Sequence, residues 1–208
     1  MAVATSPRRT RPVPAPPARD KRDVILRAAT RVFARRGFFN AQVADIARSA
    51  GVAAGTVYLY FRGKDDLLVS LFERTMREAI AEGRTALAGV SDPRKRLARL
   101  AELHLERIGR DRDLAIVFQV ELRQSTKFME RFSATQLREY LGLIRCAIAD
   151  GQASGLFRAG VSPTLAAKAL FGALDEMATN WILSRRRYSL AGQAEAVVDL
   201  FVRGVQKP

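Results

Sequence analysis

Proline removes a helical hydrogen bond and clashes with the turn before it, so its distribution tells where long helices can form. Five of the eight prolines fall within residues 1–19, together with Arg8, Arg9, Arg11 and Arg19. Between Asp20 and the final Pro208 only Pro93 and Pro163 occur, and each follows a residue suited to cap a helix, Asp92 and Ser162. Proline at the first helical position after such a cap marks a helix start rather than a break. Apolar residues keep helical spacing through most of the remaining chain, as in Val24/Ile25, Ala28/Ala29 and Val32/Phe33. The spacing predicts an all-α chain of about nine helices, near 20–36, 43–50, 54–60, 64–84, 93–109, 113–124, 133–152, 163–186 and 190–205. Ser133 with Gln136 has capping-box spacing; Asp111 or Asp113 and Ser189 are further candidate caps. Val117 and Val120 give 114–122 some strand character, but its neighbours favour a helix.

Three parts follow: a disordered basic arm over 1–19, a small helical domain over 20–66, and a larger helical bundle over 67–208. The charge divides in the same way. Residues 1–64 carry thirteen Lys/Arg against three Asp, whereas the other 144 residues carry 22 basic against 18 acidic. A basic head on a near-neutral body is the pattern of a polyanion-binding module. No apolar run reaches the length of a membrane span, and the first residues lack a signal-like apolar stretch, so a cytoplasmic protein with no membrane partner is expected. The single Cys146 stands among Leu143, Ile144 and Ile148 and reads as a buried, inert thiol. His104 is the only histidine and reads as a hydrogen-bonded helix-face residue. No clustered metal ligands, nucleophile elbow or phosphate loop is present, so neither a metal site, a cofactor nor an enzyme activity is expected.

Residues 43–61 carry the sharpest signal. Ala47 is small enough for two helices to cross closely, Gly51 tolerates the positive φ of a tight turn, and Val52 and Val57 can pack back on Ile46 and Ala47. This is helix-turn-helix spacing, although an ordinary helical hairpin shares part of it. Its surroundings, from Ile25 through Phe33, Gly37, Phe38 and Asp45 to Gly55, Thr56, Val57, Tyr58, Tyr60, Phe61 and Lys64, closely resemble the tetracycline-repressor (TetR) family. The resemblance covers residues 25–68. It implies a homodimeric regulator that binds a palindromic double-stranded DNA operator and is released by a small-molecule effector. It places the DNA contacts on Gln42, Ala54, Gly55, Thr56, Tyr58, Tyr60 and Lys64; Arg22 at the head of the first helix, with the arm behind it, is positioned to touch the DNA backbone or minor groove. Lys64 would share a phosphate with the start of its helix, and core packing competes with DNA contact for Tyr60. The family's usual Thr or Ser is replaced by Ala41 and Ala53, which removes two helix caps; Asn40 is a substitute for the first.

The C-terminal part carries a second likeness. Leu114 to Ser125, followed by Gly172 to Met177 and Trp181, resembles the fatty-acid-degradation repressors (FadR type) of the same family. That resemblance implies a long-chain acyl-coenzyme A effector. Candidate ligand contacts are Leu103, Arg107, Phe118, Leu122, Arg123, Phe128, Tyr140, Ile144, Phe157 and Phe171, with Arg110, Arg112, Lys127 and Arg145 as further cations for a polyphosphate. The apolar stripes Leu170/Leu174/Met177/Trp181 and Val198/Phe201/Val202/Val205 are the expected dimer interface. The run Arg185–Arg187 reads as cations at a helix end. A multidrug-efflux repressor is the alternative, with Glu106 or Glu121 holding a cationic effector. A non-specific DNA compactor would explain the charge but not the near-neutral body.

Overall fold

A computed structural model describes residues 18–124, 130, 135–184 and 188–206. Residues 1–17 of the expected arm, Lys127, Phe128, Ser133 and Arg185–Arg187 lie outside them, whereas Ala18 and Arg19, expected to belong to the arm, begin the first helix. The described residues form helices α1 (Ala18–Arg36), α2 (Val43–Ala50), α3 (Ala54–Tyr58), α4 (Lys64–Leu87), α5 (Pro93–Arg110), α6 (Arg112–Ile116), α7 (Gln136–Ala153), α8 (Pro163–Leu183) and α9 (Ala194–Val205). A π-helical turn, Val117–Glu121, and a 3-10 turn, Leu122–Gln124, continue α6, so the segment is helical as the sequence predicts but wound irregularly.

The caps explain several of these boundaries. The Asp92 carboxylate accepts from the amides of Arg94 and Lys95 at 2.8 and 3.1 Å, with Pro93 at the first helical position. Asp111 accepts from Leu114 N–H at 3.0 Å and Ser162 from Leu165 N–H at 3.5 Å. Gly37 and Gly51 close α1 and α2 with φ of 75° and 69°, in the left-handed region that other residues avoid. Asn40 does not cap α2. Its amide donates back to Arg36 O at the end of α1, and α2 begins without a side-chain cap.

Helices α1 to α3 enclose a small core of Ile25, Leu26, Phe33, Ile46, Ala47, Val57 and Phe61. Helix α4 runs from this unit into the bundle formed with α5, α7, α8 and α9. Within the bundle, α8 packs on α7, and α9 packs on α5 and α8. Leu97, Leu100, Leu105, Ile144, Ala147, Leu170, Leu174 and Val198 fill its centre. The Arg112 guanidinium donates to Ile182 O at 2.5 Å and stacks 5.2 Å from the Trp181 ring, tying the start of α6 to the end of α8.

Cys146 is exposed, contrary to expectation. The buried stripe of α7 is Tyr140, Ile144, Ala147, Ile148 and Gly151, and residues adjacent in sequence lie about 100° apart round a helix. Apolar sequence neighbours therefore do not bury it. Phe157 lies in the bundle core against Gly151, where an added Cβ would come within 2.2 Å of its ring. Overpacking of this kind costs about 1–3 kcal/mol. Gly151→Ala should therefore lower the urea midpoint of unfolding without changing the slope of the transition.

Candidate DNA-reading face and effector cavity

Two surfaces stand out, one on the α1–α3 unit and one inside the bundle. On the first, Gln42, Ala54, Gly55 and Tyr58 are exposed and Thr56 is half-buried. Leu59, at the end of α3, is 81% exposed, an apolar side chain that sequence reasoning passed over although it stands between the two tyrosines. Tyr60 packs against the core, as its competing reading allowed. The Arg22 guanidinium stacks 5.0 Å from the Phe61 ring. Lys64 is placed differently from expectation: its ammonium turns inward to the carbonyls of Phe39, Phe38 and Ala41 at 2.7, 3.0 and 3.4 Å, and lies 4.8 Å from the Phe38 ring. The first turn of α4 already carries Asp65 and Asp66, so its dipole is met by acidic groups of the chain itself.

The turn that Lys64 grips is also held from the bundle. Glu121, buried at the end of the π turn, accepts from the Phe38 amide at 2.6 Å across 83 residues of sequence. One oxygen of the same carboxylate would lie 3.5 Å from a Cβ at Gly37. Glu121 therefore faces the DNA-reading unit, while its neighbours Phe118, Gln119, Leu122 and Arg123 face a cavity. A π turn spends an extra residue per turn and so redistributes side chains between faces.

That cavity, about 310 Å³, lies between α4, α5, the α6 segment, α7 and α8. Seven of the expected ligand contacts line it: Leu103, Arg107, Phe118, Leu122, Arg123, Tyr140 and Phe171. Ile144 and Phe157 do not, because both belong to the bundle core. Met76, Ala79 and Gly83 of α4 were not foreseen, since small and apolar residues on a long helix give no sign of facing a void. The two cations in the wall are engaged by acids: Arg107 pairs with Glu82, and Arg123 with Asp175. Gln119 donates to Asp175 at 2.6 Å and accepts from Thr179 at 3.3 Å.

His104 also lines the cavity, with Nδ1 3.1 Å from the Tyr140 hydroxyl and the Phe171 ring set edge-on at 5.5 Å. Burial lowers its pKa to about 4, against an opposing pull from Asp175. Burial likewise pushes the Tyr140 hydroxyl well above its ordinary value, with Arg107 opposing and Glu82 reinforcing the shift. Both groups are neutral near pH 7. Beside the cavity, and sharing Leu137 with it, a groove between α7 and α8 is lined by Arg138, Arg145 and Lys168. None of these three pairs with a carboxylate among the described residues.

The expected dimer stripes are placed differently. Leu170, Leu174, Val198, Val202 and Val205 are buried within the protomer, and Met177, Trp181 and Phe201 are partly buried against the same core. The strongest apolar stripe of each helix faces its own bundle. The exposed small and apolar residues are Leu165, Ala169, Gly172 (which also borders the cavity), Ala173 and Leu183 on α8, with Ala196, Leu200 and Gly204 on α9.

A helix-turn-helix unit is thus joined by one long helix to a cavity-bearing bundle. Residues 25–71 match the bacterial regulatory proteins of the tetR family, and residues 72–204 match the YsiA-like protein, C-terminal region; the chain belongs to the TetR family. It is 35% identical over 181 residues to the fatty acid metabolism regulator protein of Bacillus subtilis, covering 87% of this chain and 93% of that protein. The crystal structure of the transcriptional regulator FadR from Bacillus subtilis in complex with stearoyl-CoA is similar over 88% of this chain and 99% of its own, with a TM-score of 0.83 and 34% identity. The fatty acid degradation regulator FadR from Bacillus halodurans matches over the same shares, with a TM-score of 0.82 and 36% identity.

The depressed pKa of His104 has a thermodynamic consequence. Between pH 6.5 and about 4 the unfolded chain binds a proton at this residue that the folded chain refuses, so stability is complete above pH 6.5 and declines below it. The loss amounts to about 2 kcal/mol by pH 5. Urea unfolding of His104→Gln should accordingly show a shallower decline from pH 7 to 5 than the unsubstituted protein. Parallel declines would mean that the imidazole is not held neutral.

Proposed function

We propose that this protein is a homodimeric, cytoplasmic repressor that binds a palindromic operator and is released from it by a long-chain acyl-coenzyme A. The observation that supports this reading most is the pairing of an apolar cavity with a neighbouring groove whose cations meet no carboxylate among the described residues. A fatty tail requires the first and a polyphosphate requires the second. The likeness to a regulator crystallised with stearoyl-CoA points the same way. The head group then engages Arg138, Arg145 and Lys168 rather than Arg107 and Arg123, whose charges are already met. The efflux-type alternative has less support: Glu106 pairs with Arg110, Glu121 is turned to Phe38, and the cavity's own Glu82 and Asp175 are each held by an arginine.

On the operator side, Gln42, Ala54, Gly55, Thr56, Tyr58 and Leu59 form the reading surface. Few of these side chains donate hydrogen bonds, so thymine-methyl contacts and DNA shape carry much of the specificity. Arg22 and the basic arm add backbone contacts. Lys64 acts indirectly, by fixing the turn between α1 and α2 from which the reading helices project. The second copy docks on the exposed stripes of α8 and α9, where small residues allow close helix approach around Leu165, Leu183 and Leu200.

Release follows from the shared wall. A ligand that fills the cavity moves the 117–124 segment, and Glu121 on the other side of that segment carries the change to Phe38. A shift in operator affinity requires only that the ligand prefer one arrangement of the segment.

Burying two more methylenes contributes about 1.6 kcal/mol, or roughly fifteen-fold in affinity. Operator release in a gel shift should therefore strengthen from octanoyl- to palmitoyl-CoA, while free coenzyme A has little effect. Release that ignores chain length but responds to aromatic cations would favour the efflux reading. Leu200→Glu should yield monomers by light scattering, and an unchanged dimer would move the interface elsewhere.

A further inference from the structure

We propose that His104 is the specificity residue that recognises the acyl carbonyl of the effector, donating its Nε2–H to that oxygen inside the cavity. The inference rests on the acyl-coenzyme A reading above and states where in the cavity the thioester lies.

Nε2 of His104 is buried and has no hydrogen-bond partner, whereas each of the other polar side chains in the cavity wall has one. Thr75 donates to Leu71 O at 2.9 Å, Arg107 is held by Glu82, and Gln119 and Arg123 are held by Asp175. Tyr140 uses its hydroxyl on Nδ1 of His104 itself. A buried phenol needs an acceptor for its proton, and Nδ1 is the acceptor within reach. That assigns the tautomer: the second imidazole proton resides on Nε2 and is offered to whatever fills the cavity. The ring cannot readily turn away, because Tyr140 fixes one edge and Phe171 packs against it at 75°.

The chemistry of this donor narrows its partner. Burial keeps the imidazole uncharged, so it suits a neutral oxygen and gives little to a carboxylate. A thioester carbonyl is such an oxygen, and it is the one polar group that separates an acyl tail from its carrier. A saturated tail alone would leave the N–H unmet within an apolar cavity, which is unfavourable. The groups facing the ring are the neutral Tyr140, the edge of Phe171, and the Asp175 carboxylate already engaged by Arg123 and Gln119.

The test is calorimetry on the full-length protein with two ligands of equal length, palmitoyl-CoA and its S-hexadecyl thioether, in which a methylene replaces the carbonyl. The unsubstituted protein should bind the thioester about tenfold more tightly, the size expected of one hydrogen bond to a buried donor. His104→Leu should bind both equally, and His104→Gln, which keeps a donor, should restore part of the preference. This cycle separates the hydrogen bond from the general effect of altering either partner. Equal binding of the two ligands to the unsubstituted protein would overturn the role of His104 and leave the acyl-coenzyme A reading intact. A tenfold preference that survives in His104→Leu would also overturn it, and binding of neither ligand would remove both. Should His104→Leu fail to fold, the ligand pair on the unsubstituted protein decides by itself.

Discussion

The hydrogen bond from the Phe38 amide to the Glu121 carboxylate joins the two halves of this molecule. Loss of either partner of such a buried bond leaves the other without solvent to replace it, which costs about 1–3 kcal/mol. The turn it holds, residues 37–41, is gripped from the other side by the Lys64 ammonium. The aromatic rings of Phe33, Phe38 and Phe39 pack around the same point at centroid distances of 5.4 and 5.5 Å. These contacts fix the turn before α2, beside the packing of α1 on α4 and the α6 segment and the Arg74–Asp23 ion pair. The segment carrying Glu121 is one wall of the cavity, so the cavity and the α1–α2 turn lie on opposite faces of one irregular helix.

That irregularity has a physical purpose in this fold. In a regular α-helix Phe118 and Leu122 would share a face with little freedom in where Glu121 points. Within the π turn Gln119 and Glu121 are both buried and serve different neighbours, Asp175 and Phe38. Phe118 meanwhile packs against Phe72 of α4 at 5.4 Å, so the wall also touches the helix that enters the DNA-reading unit. In the proposed release, a ligand pressing on Phe118 would act on both routes at once.

Much of the architecture was legible in the sequence because it is written in local chemistry. Asp92-Pro93 and Ser162-Pro163 start helices through their own side chains, and Gly51 ends one through its backbone freedom. The lining of the cavity was partly legible, since Leu103, Phe118, Leu122, Tyr140 and Phe171 are the large apolar residues of helices facing one another. What could not be read were choices between faces of equal hydrophobicity. Ile144 and Phe157 look like pocket residues and are core, and the strongest stripes of α8 and α9 turn inward, leaving smaller residues for the outside. Lys64 and Glu121 were equally hidden, because a motif records which residue is present and not the partner it finds 25 or 83 residues away.

The account turns on coupling between the cavity and the reading helices through Glu121. Fluorescence anisotropy of a labelled operator, with and without saturating palmitoyl-CoA, measures that coupling in the unsubstituted protein and in Glu121→Ala, with calorimetry confirming that both still bind the ligand. The unsubstituted protein is expected to lose operator affinity by roughly a hundred-fold on ligand binding, about 2.7 kcal/mol of coupling. Glu121→Ala is expected to bind ligand normally and to change operator affinity less than about threefold in response. A Glu121→Ala protein that is released as strongly as the unsubstituted one would contradict the account.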